Sequence, residues 1–329
     1  MTRGLVLGTL VVVDALAAAV GTAPQERGGA GGGQPAPSAA AIQAEKIREN
    51  FYVLRGGGRT VQIGGVNVPQ AGTTAAFITT SGVVLVDTKL PGWGRPIIDK
   101  LRAITDKPVT TIINTHTHFD HVGGNVEFPE SVEVVAHENT AELMRDMRPV
   151  TGGPVQPDIF KQSRGRGLPT RTFKDRMVLG SGEERIELYY FGRAHTGGDA
   201  WVVFPALRVL HAGDVFAHKA VPPLDANNGA SGVEYPQTIA KALGALTDID
   251  TVITGHYPTT LTMADLETYG GFVREFVQAV QAAKRNGRTI EEFVSTWKLP
   301  ERFVKEGYLD IGNLRPLRPD VEVIWNETR

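Results

Sequence analysis

Residues Thr115-His116-Thr117-His118-Phe119-Asp120-His121 follow directly on an apolar strand candidate, Val109–Asn114. Three histidines and one aspartate fall within six residues, at H-x-H-x-D-H spacing. At average residue usage such a run arises by chance less than about once per million positions. Its placement carries the chemistry. A strand fixes the backbone, and the loop after it turns several side chains toward one point. His116 and His118, two apart, can project the same way and chelate one ion, while Asp120 and His121 reach a second ion beside it. Neutral imidazole and carboxylate suit zinc, and also iron or manganese. Packed together without metal, four such groups would repel one another and stay poorly satisfied.

Three more pieces lie where further ligands would be needed. His195 sits in Gly192-Arg193-Ala194-His195-Thr196-Gly197-Gly198-Asp199, after a strand candidate at Ile186–Phe191. Asp214 follows Val209–His211 in His211-Ala212-Gly213-Asp214, and His256 follows Thr251–Thr254 in Thr254-Gly255-His256-Tyr257-Pro258. Each is a short strand, then a ligand-type residue in a glycine-containing turn that lets backbone approach an ion. Singly these are weak signals; beside the first motif they are strong. Of the other candidates, His137 ends a strand and is expected to be structural, and Asp199 to bond backbone. His211 is expected to orient a ligand from behind. His218, in a Pro-rich loop, and Tyr257 are candidate substrate contacts.

The chain around these motifs has an ordinary globular balance, 41% hydrophobic and 21% charged over 329 residues, with net charge -2. Nothing in that charge calls for nucleic acid or an anionic membrane. The absence of cysteine excludes disulfides, thiolate ligands and a Cys nucleophile, so any metal site must be built from His, Asp and Glu. Residues 1–23 read as a signal peptide: Arg3, an apolar run from Gly4 to Val20, then small residues Gly21, Thr22 and Ala23. A Gly/Pro/Ala-rich linker, residues 24–41, cannot bury a core. Residues 42–329 read as one domain, periplasmic or secreted, with a small-molecule substrate.

Within it, strands are expected at Phe51–Leu54, Val61–Ile63, Thr74–Thr79, Val83–Asp87, Val109–Asn114, Val132–Ala136, Ile186–Phe191, Ala200–Phe204, Val209–His211 and Thr251–Thr254. Helices are expected at Pro96–Ile104, Glu138–Met147, Pro236–Leu246, Ala264–Arg285 and Thr289–Trp297. Two successive blocks of strands interleaved with helices predict an α/β fold, an αββα sandwich of two packed sheets. The stretch Pro149–Pro169 is irregular and basic, and reads as a solvated linker or a lid.

The H-x-H-x-D-H motif, the A-H-T-G-G-D and G-D motifs and the final G-H occur in the order found in the metallo-β-lactamase fold superfamily. The chain resembles that family from about Phe51 to Pro258. The resemblance implies that His116, His118 and His195 hold one metal and that Asp120, His121 and His256 hold another, with Asp214 bridging both. Asp214 stands where the lactamase subclass with a Cys ligand has its cysteine, so the pattern is nearer to glyoxalase II-like enzymes and lactonases.

Two Zn2+ so held would trap a bridging water and lower its pKa toward 7, with Asp120 and Asp214 as the candidate catalytic residues. The expected reaction is hydrolysis of an ester, lactone, thioester or β-lactam amide. The alternative is a periplasmic metal-binding accessory protein of the same fold without turnover. A redox role goes with Glu in place of His118. RNA cleavage fits poorly with a mildly acidic, exported chain.

Overall fold

The computed structural model describes residues 36–63, 65–310 and 315–329. The proposed signal peptide and residues 24–35 of the linker lie outside them. The described chain belongs to one compact unit, Gln34–Arg329. None of its helices is long and apolar enough to cross a membrane.

The first block contains strands β1 (Ile42–Arg48), β2 (Phe51–Gly56), β3 (Thr60–Ile63), β4 (Val66–Pro69), β5 (Thr74–Ile78), β6 (Val83–Val86), β7 (Val109–Ile113), β8 (Glu133–His137) and β9 (Arg171–Phe173). Seven of them form one sheet in the order β1-β2-β5-β6-β7-β8-β9; β3 and β4 pair separately as a hairpin. The half from β1 to β6 is antiparallel, and β6, β7, β8 and β9 are parallel to one another. The second block contains β10 (Arg176–Leu179), β11 (Ile186–Tyr189), β12 (Trp201–Phe204), β13 (Val209–His211) and β14 (Thr251–Ile253), in that order, with β13 and β14 parallel.

Side chains alternate across each strand, so the central strands serve two cores. Val84, Val86, Ile113 and Val135 meet Leu188, Val202, Val209 and Ile253 of the second sheet. Phe51, Phe77 and Phe204 form an edge-on aromatic group at the centre of this layer, with centroids 4.7–6.0 Å apart. The intervening residues Leu85, Ile112 and Val134 face outward, under Trp93 and helix α1 (Gly94–Arg102). Between β7 and β9 come α2 (Phe119–Val122), α3 (Glu138–Arg145) and α4 (Ile159–Gln162).

Trp201, Val203, Leu210 and Val252 face a third core, closed by α5 (Tyr235–Ala245), α6 (Met263–Arg285), α7 (Ile290–Thr296), α8 (Glu301–Lys305) and α9 (Arg318–Glu327). The αββα sandwich expected from the sequence is the observed architecture.

Several elements were not anticipated. β1 is an edge strand in which Gln43, Ala44, Glu45 and Lys46 are all exposed, so Ile42-Gln43-Ala44-Glu45-Lys46-Ile47-Arg48 lacks a clean alternation. β9 has three residues, too few for a periodic signal. The stretch Pro149–Pro169 is not a solvated linker throughout. It contains α4, whose Ile159 and Phe160 are buried with Val122 and Met144.

Candidate metal centre

Parallel strands end at one edge of a sheet, and ligand sites form there. Asp87 follows β6, His116, His118 and α2 follow β7, Asp214 follows β13, and His256 follows β14. His195 comes on the turn between β11 and β12. Backbone hydrogen bonds lace these loops together: Ala200 N donates to Thr115 O (2.7 Å), Gly255 N to Gly213 O (2.9 Å), His256 N to Ala217 O (2.8 Å) and Gly72 N to Asp120 O (3.0 Å).

All seven residues singled out as ligands converge. One ligating atom each from His116, His118, His195 and Asp214 lies within 4.8 Å of the others, and so do those of Asp120, His121 and His256. Asp214 stands between the groups. Its Oδ2 is 3.6 Å from His195 Nε2 and 3.3 Å from His256 Nε2, and its Oδ1 is 3.3 Å from His121 Nε2. Asp120 Oδ2 is 3.2 Å from His256 Nε2 and 3.6 Å from His121 Nε2.

Each histidine has one ring nitrogen committed to an acceptor, which leaves the other for the cluster. His121 Nδ1 bonds Asp87 Oδ2 (2.7 Å), His195 Nδ1 bonds Pro223 O (2.7 Å) and His256 Nδ1 bonds Pro69 O (2.9 Å). His116 Nδ1 meets Thr115 Oγ1 at 2.9 Å, and its Nε2 is buried without a hydrogen-bond partner. His118 is reversed: Nε2 bonds Asp225 Oδ2 (2.7 Å), and Nδ1 faces His195 Nε2 at 3.0 Å. Four histidines therefore present Nε2 and His118 presents Nδ1.

Electrostatics tests whether these groups fit a cation. Burial pushes His116 well below the ordinary imidazole value and His195 down to about 4, reinforced by neighbouring imidazoles. Burial acts the same way on His118, His121 and His256, but carboxylates outweigh it. Asp225 raises His118, and Asp214 with Asp120 raises His121 well up and His256 to about 10. Burial opposes ionisation of Asp120 and Asp214, yet the adjoining imidazolium charges hold Asp120 at about 2 and Asp214 well below its usual range. The two carboxylates demand positive charge at this spot. Raised as they are, His121 and His256 favour the protonated form that supplies it; a divalent cation held by the same atoms would take the place of those protons.

Two groups that matter here were missed in the sequence. Asp87 is fully buried, and besides His121 it accepts from Thr115 N (2.8 Å) and Thr115 Oγ1 (2.7 Å). A strand-end Asp after Val83-Val84-Leu85-Val86 was the available signal, the same one that Asp214 offers. Asp225 lies 107 residues from His118, and no local pattern joins them. Its Oδ1 also accepts from Thr151 N (3.0 Å) and Thr151 Oγ1 (2.8 Å), tying residues after α3 to the cluster.

The remaining candidates sort by contact. His137 caps α3 and stacks on Tyr190 with centroids 4.0 Å apart, a structural role. Asp199 accepts from Thr196 N and Oγ1, as expected. His211 is buried, and its Nδ1 accepts from Gly213 N (3.2 Å), which shapes the turn that presents Asp214. His218, a candidate substrate contact, is half-buried, and burial pushes it down to about 4. Tyr257 is held through its backbone by Thr254 and Arg55.

Gly255 is required by close approach: a Cβ there would lie 1.7 Å from Asp214 Oδ1. Gly255→Ala is therefore expected to displace Asp214 and to retain at most one ion per chain, read by elemental analysis of purified protein. Full metal content in that variant would show that the turn can yield without cost to the cluster.

Comparison with known proteins agrees with this architecture. A sequence profile described as the metallo-beta-lactamase superfamily matches residues 69–256, more than half of the chain and inclusive of all seven clustered residues. The 2,4-dinitroanisole O-demethylase subunit alpha of Nocardioides sp. (strain JS1661) is 34% identical over 146 residues, 43% of this chain and 40% of that protein. The similarity thus spans less than half of that relative. The metallo-beta-lactamase type 2 of Elizabethkingia meningoseptica is 22% identical over 231 residues, 68% of this chain and 81% of the enzyme. A solved metallo-beta-lactamase from Pontibacter korlensis superposes with TM-score 0.57 at 20% identity, covering 71% of this chain and 99% of that one. That likeness is one of fold.

Proposed function

The chain belongs to the metallo-beta-lactamase superfamily and carries a buried His/Asp cluster of metal-binding type; on that premise we propose that it is an exported hydrolase that uses two metal ions, zinc first among them, on a small-molecule substrate. His116, His118 and His195 would hold one ion, and Asp120, His121 and His256 the other, with Asp214 shared. The observation that carries this is the convergence of seven ligand atoms in which every histidine has its second nitrogen already committed. Such commitment sets tautomer and ring orientation before any ion arrives. Ions bound there supply Lewis acidity and make nearby water more acidic.

The protein's own groups divide the remaining work. His116, His118 and His195 form the buried floor. Asp120 and His256 are the open side, their side chains 26% and 13% exposed, so substrate would enter over them. Asp120, ionised and braced by His256, can accept a hydrogen bond from a water and orient it. No protein nucleophile is needed.

A panel of substrates tests the proposal: a chromogenic β-lactam, a lactone, a thioester, an aryl ester, an aryl sulfate, an aryl phosphodiester and, prompted by the O-demethylase relative, a dinitrophenyl methyl ether. Turnover of at least one is expected with zinc supplied, lost on chelation and in His116→Ala. Two bound ions without turnover of any of them would favour a metal-binding accessory protein.

A further inference from the structure

Two of the three histidines on the buried side take their orientation from one short segment, Val221-Pro222-Pro223-Leu224-Asp225. Pro223 O receives His195 Nδ1 at 2.7 Å, and Asp225 Oδ2 receives His118 Nε2 at 2.7 Å. Asp225 N also donates to His195 O at 3.1 Å. The position of this segment therefore decides where His118 Nδ1 and His195 Nε2 point.

Consecutive prolines leave the segment short of backbone donors. Between Val221 and Asp225 the one amide hydrogen belongs to Leu224, and it goes to Asp320 Oδ1 at 2.9 Å. At the segment's other end, Val221 O accepts from Arg315 Nη2 at 3.3 Å. Arg315 Nη1 and Asp320 Oδ2 form an ion pair, closing a frame from Val221 through Arg315 and Asp320 to Leu224. The frame rests on α9, where Asp320 is buried in the first turn and Val321 and Ile324 join the core under α6. Lys284 of α6 donates to Trp325 O (2.7 Å) and Thr328 O (2.6 Å), which pins the far end of α9. Both Arg315 and Asp320 lie beyond residues 69–256 that match the superfamily profile.

We propose that Arg315 and Asp320 are positioning residues for the metal site of His116, His118 and His195, acting through the 221–225 segment, and that they do not support the Asp120, His121 and His256 site. His256 is held instead by Pro69 O and by the backbone of Ala217, and His121 by Asp87. Asp320 touches no candidate ligand; its carboxylate fixes a carbonyl and a carboxylate that do. The inference rests on the two-metal proposal above.

Binding of Zn2+ and of Co2+ to the full mature protein, titrated against a chromophoric chelator, tests it. Wild type is expected to show two affinities, and failure to bind two ions would sink the two-metal proposal and this one together. In Asp320→Ala one affinity is expected to weaken about tenfold, the low end for loss of an outer partner of a ligand, with the other unchanged. The visible Co2+ spectrum should change for that one ion. Asp320→Asn keeps an oxygen for Leu224 N but gives up the charge that pairs with Arg315, and should restore only part of the loss.

General damage to the fold would weaken both ions alike, so selectivity separates positioning from destabilisation. If Asp320→Ala does not fold, Arg315→Gln decides, since that side chain is 32% exposed and its removal leaves Asp320 buried in place. It is expected to weaken the same ion several-fold. Equal affinities in a folded Asp320→Ala, or in Arg315→Gln, would overturn the proposal.

Discussion

Asp214→Ala is expected to lose both bound ions at stoichiometric zinc and to lower turnover of the best substrate by about 10^4-fold. Outer partners of ligands typically cost 10–100-fold in metal affinity, and a carboxylate shared by two sites removes at least that much from each. Electrostatics strengthens the expectation. The substitution deletes one of the two carboxylates that raise His121 and His256. What remains among the candidate ligands is five imidazoles and one carboxylate, a set with less attraction for cations. Elemental analysis and kinetics on the same preparation check this. Retention of two ions with near-native turnover would place the bridging role elsewhere and remove the central support for the assignment. Asp214→Asn keeps the shape and should fall between the two, since an amide oxygen is a weaker ligand than a carboxylate.

Asp87→Ala is expected to cost stability as well as metal. Its carboxylate is fully buried and receives three donors, Thr115 N, Thr115 Oγ1 and His121 Nδ1. Truncation leaves all three without a partner. With zinc bound His121 is neutral, so three neutral buried donors lose their acceptor, each costing about 1–3 kcal/mol. A net loss of about 4 kcal/mol, read by denaturant unfolding of the zinc-loaded protein, is expected after partial relaxation. His121, released from its orienting partner, should bind its ion 10–100-fold less tightly. Unchanged unfolding with weakened metal would show that water replaces the carboxylate; no change in either would mean that His121 needs no such brace.

The two predictions draw on information of different range. Asp214 was legible because each ligand is announced locally. A run of apolar residues marks a strand, a glycine marks a turn, and a metal-type side chain stands between or after them. His116, His118, Asp120 and His121 lie within six positions, where strand geometry alone limits how far apart their side chains can point. The two-block alternation of strands and helices likewise pointed to a two-sheet sandwich, since each strand's apolar faces require layers on both sides.

Other features depend on partners that no local pattern identifies. Asp87 resembles any strand-end Asp until Thr115 and His121 are seen around it. Asp225 meets His118 from 107 residues away, and Leu224 meets Asp320 from 96. β1 was missed because four successive residues of this edge strand answer to solvent, which erases the alternation that marks a half-buried strand. The sequence by itself determined the architecture and the candidate ligand residues, because periodicity and spacing are consequences of backbone geometry within a few residues. The tertiary structure alone decided which nitrogen each histidine presents and which distant carboxylates and carbonyls hold it there. Those choices are made by hydrogen bonds between segments that meet only when the sandwich closes.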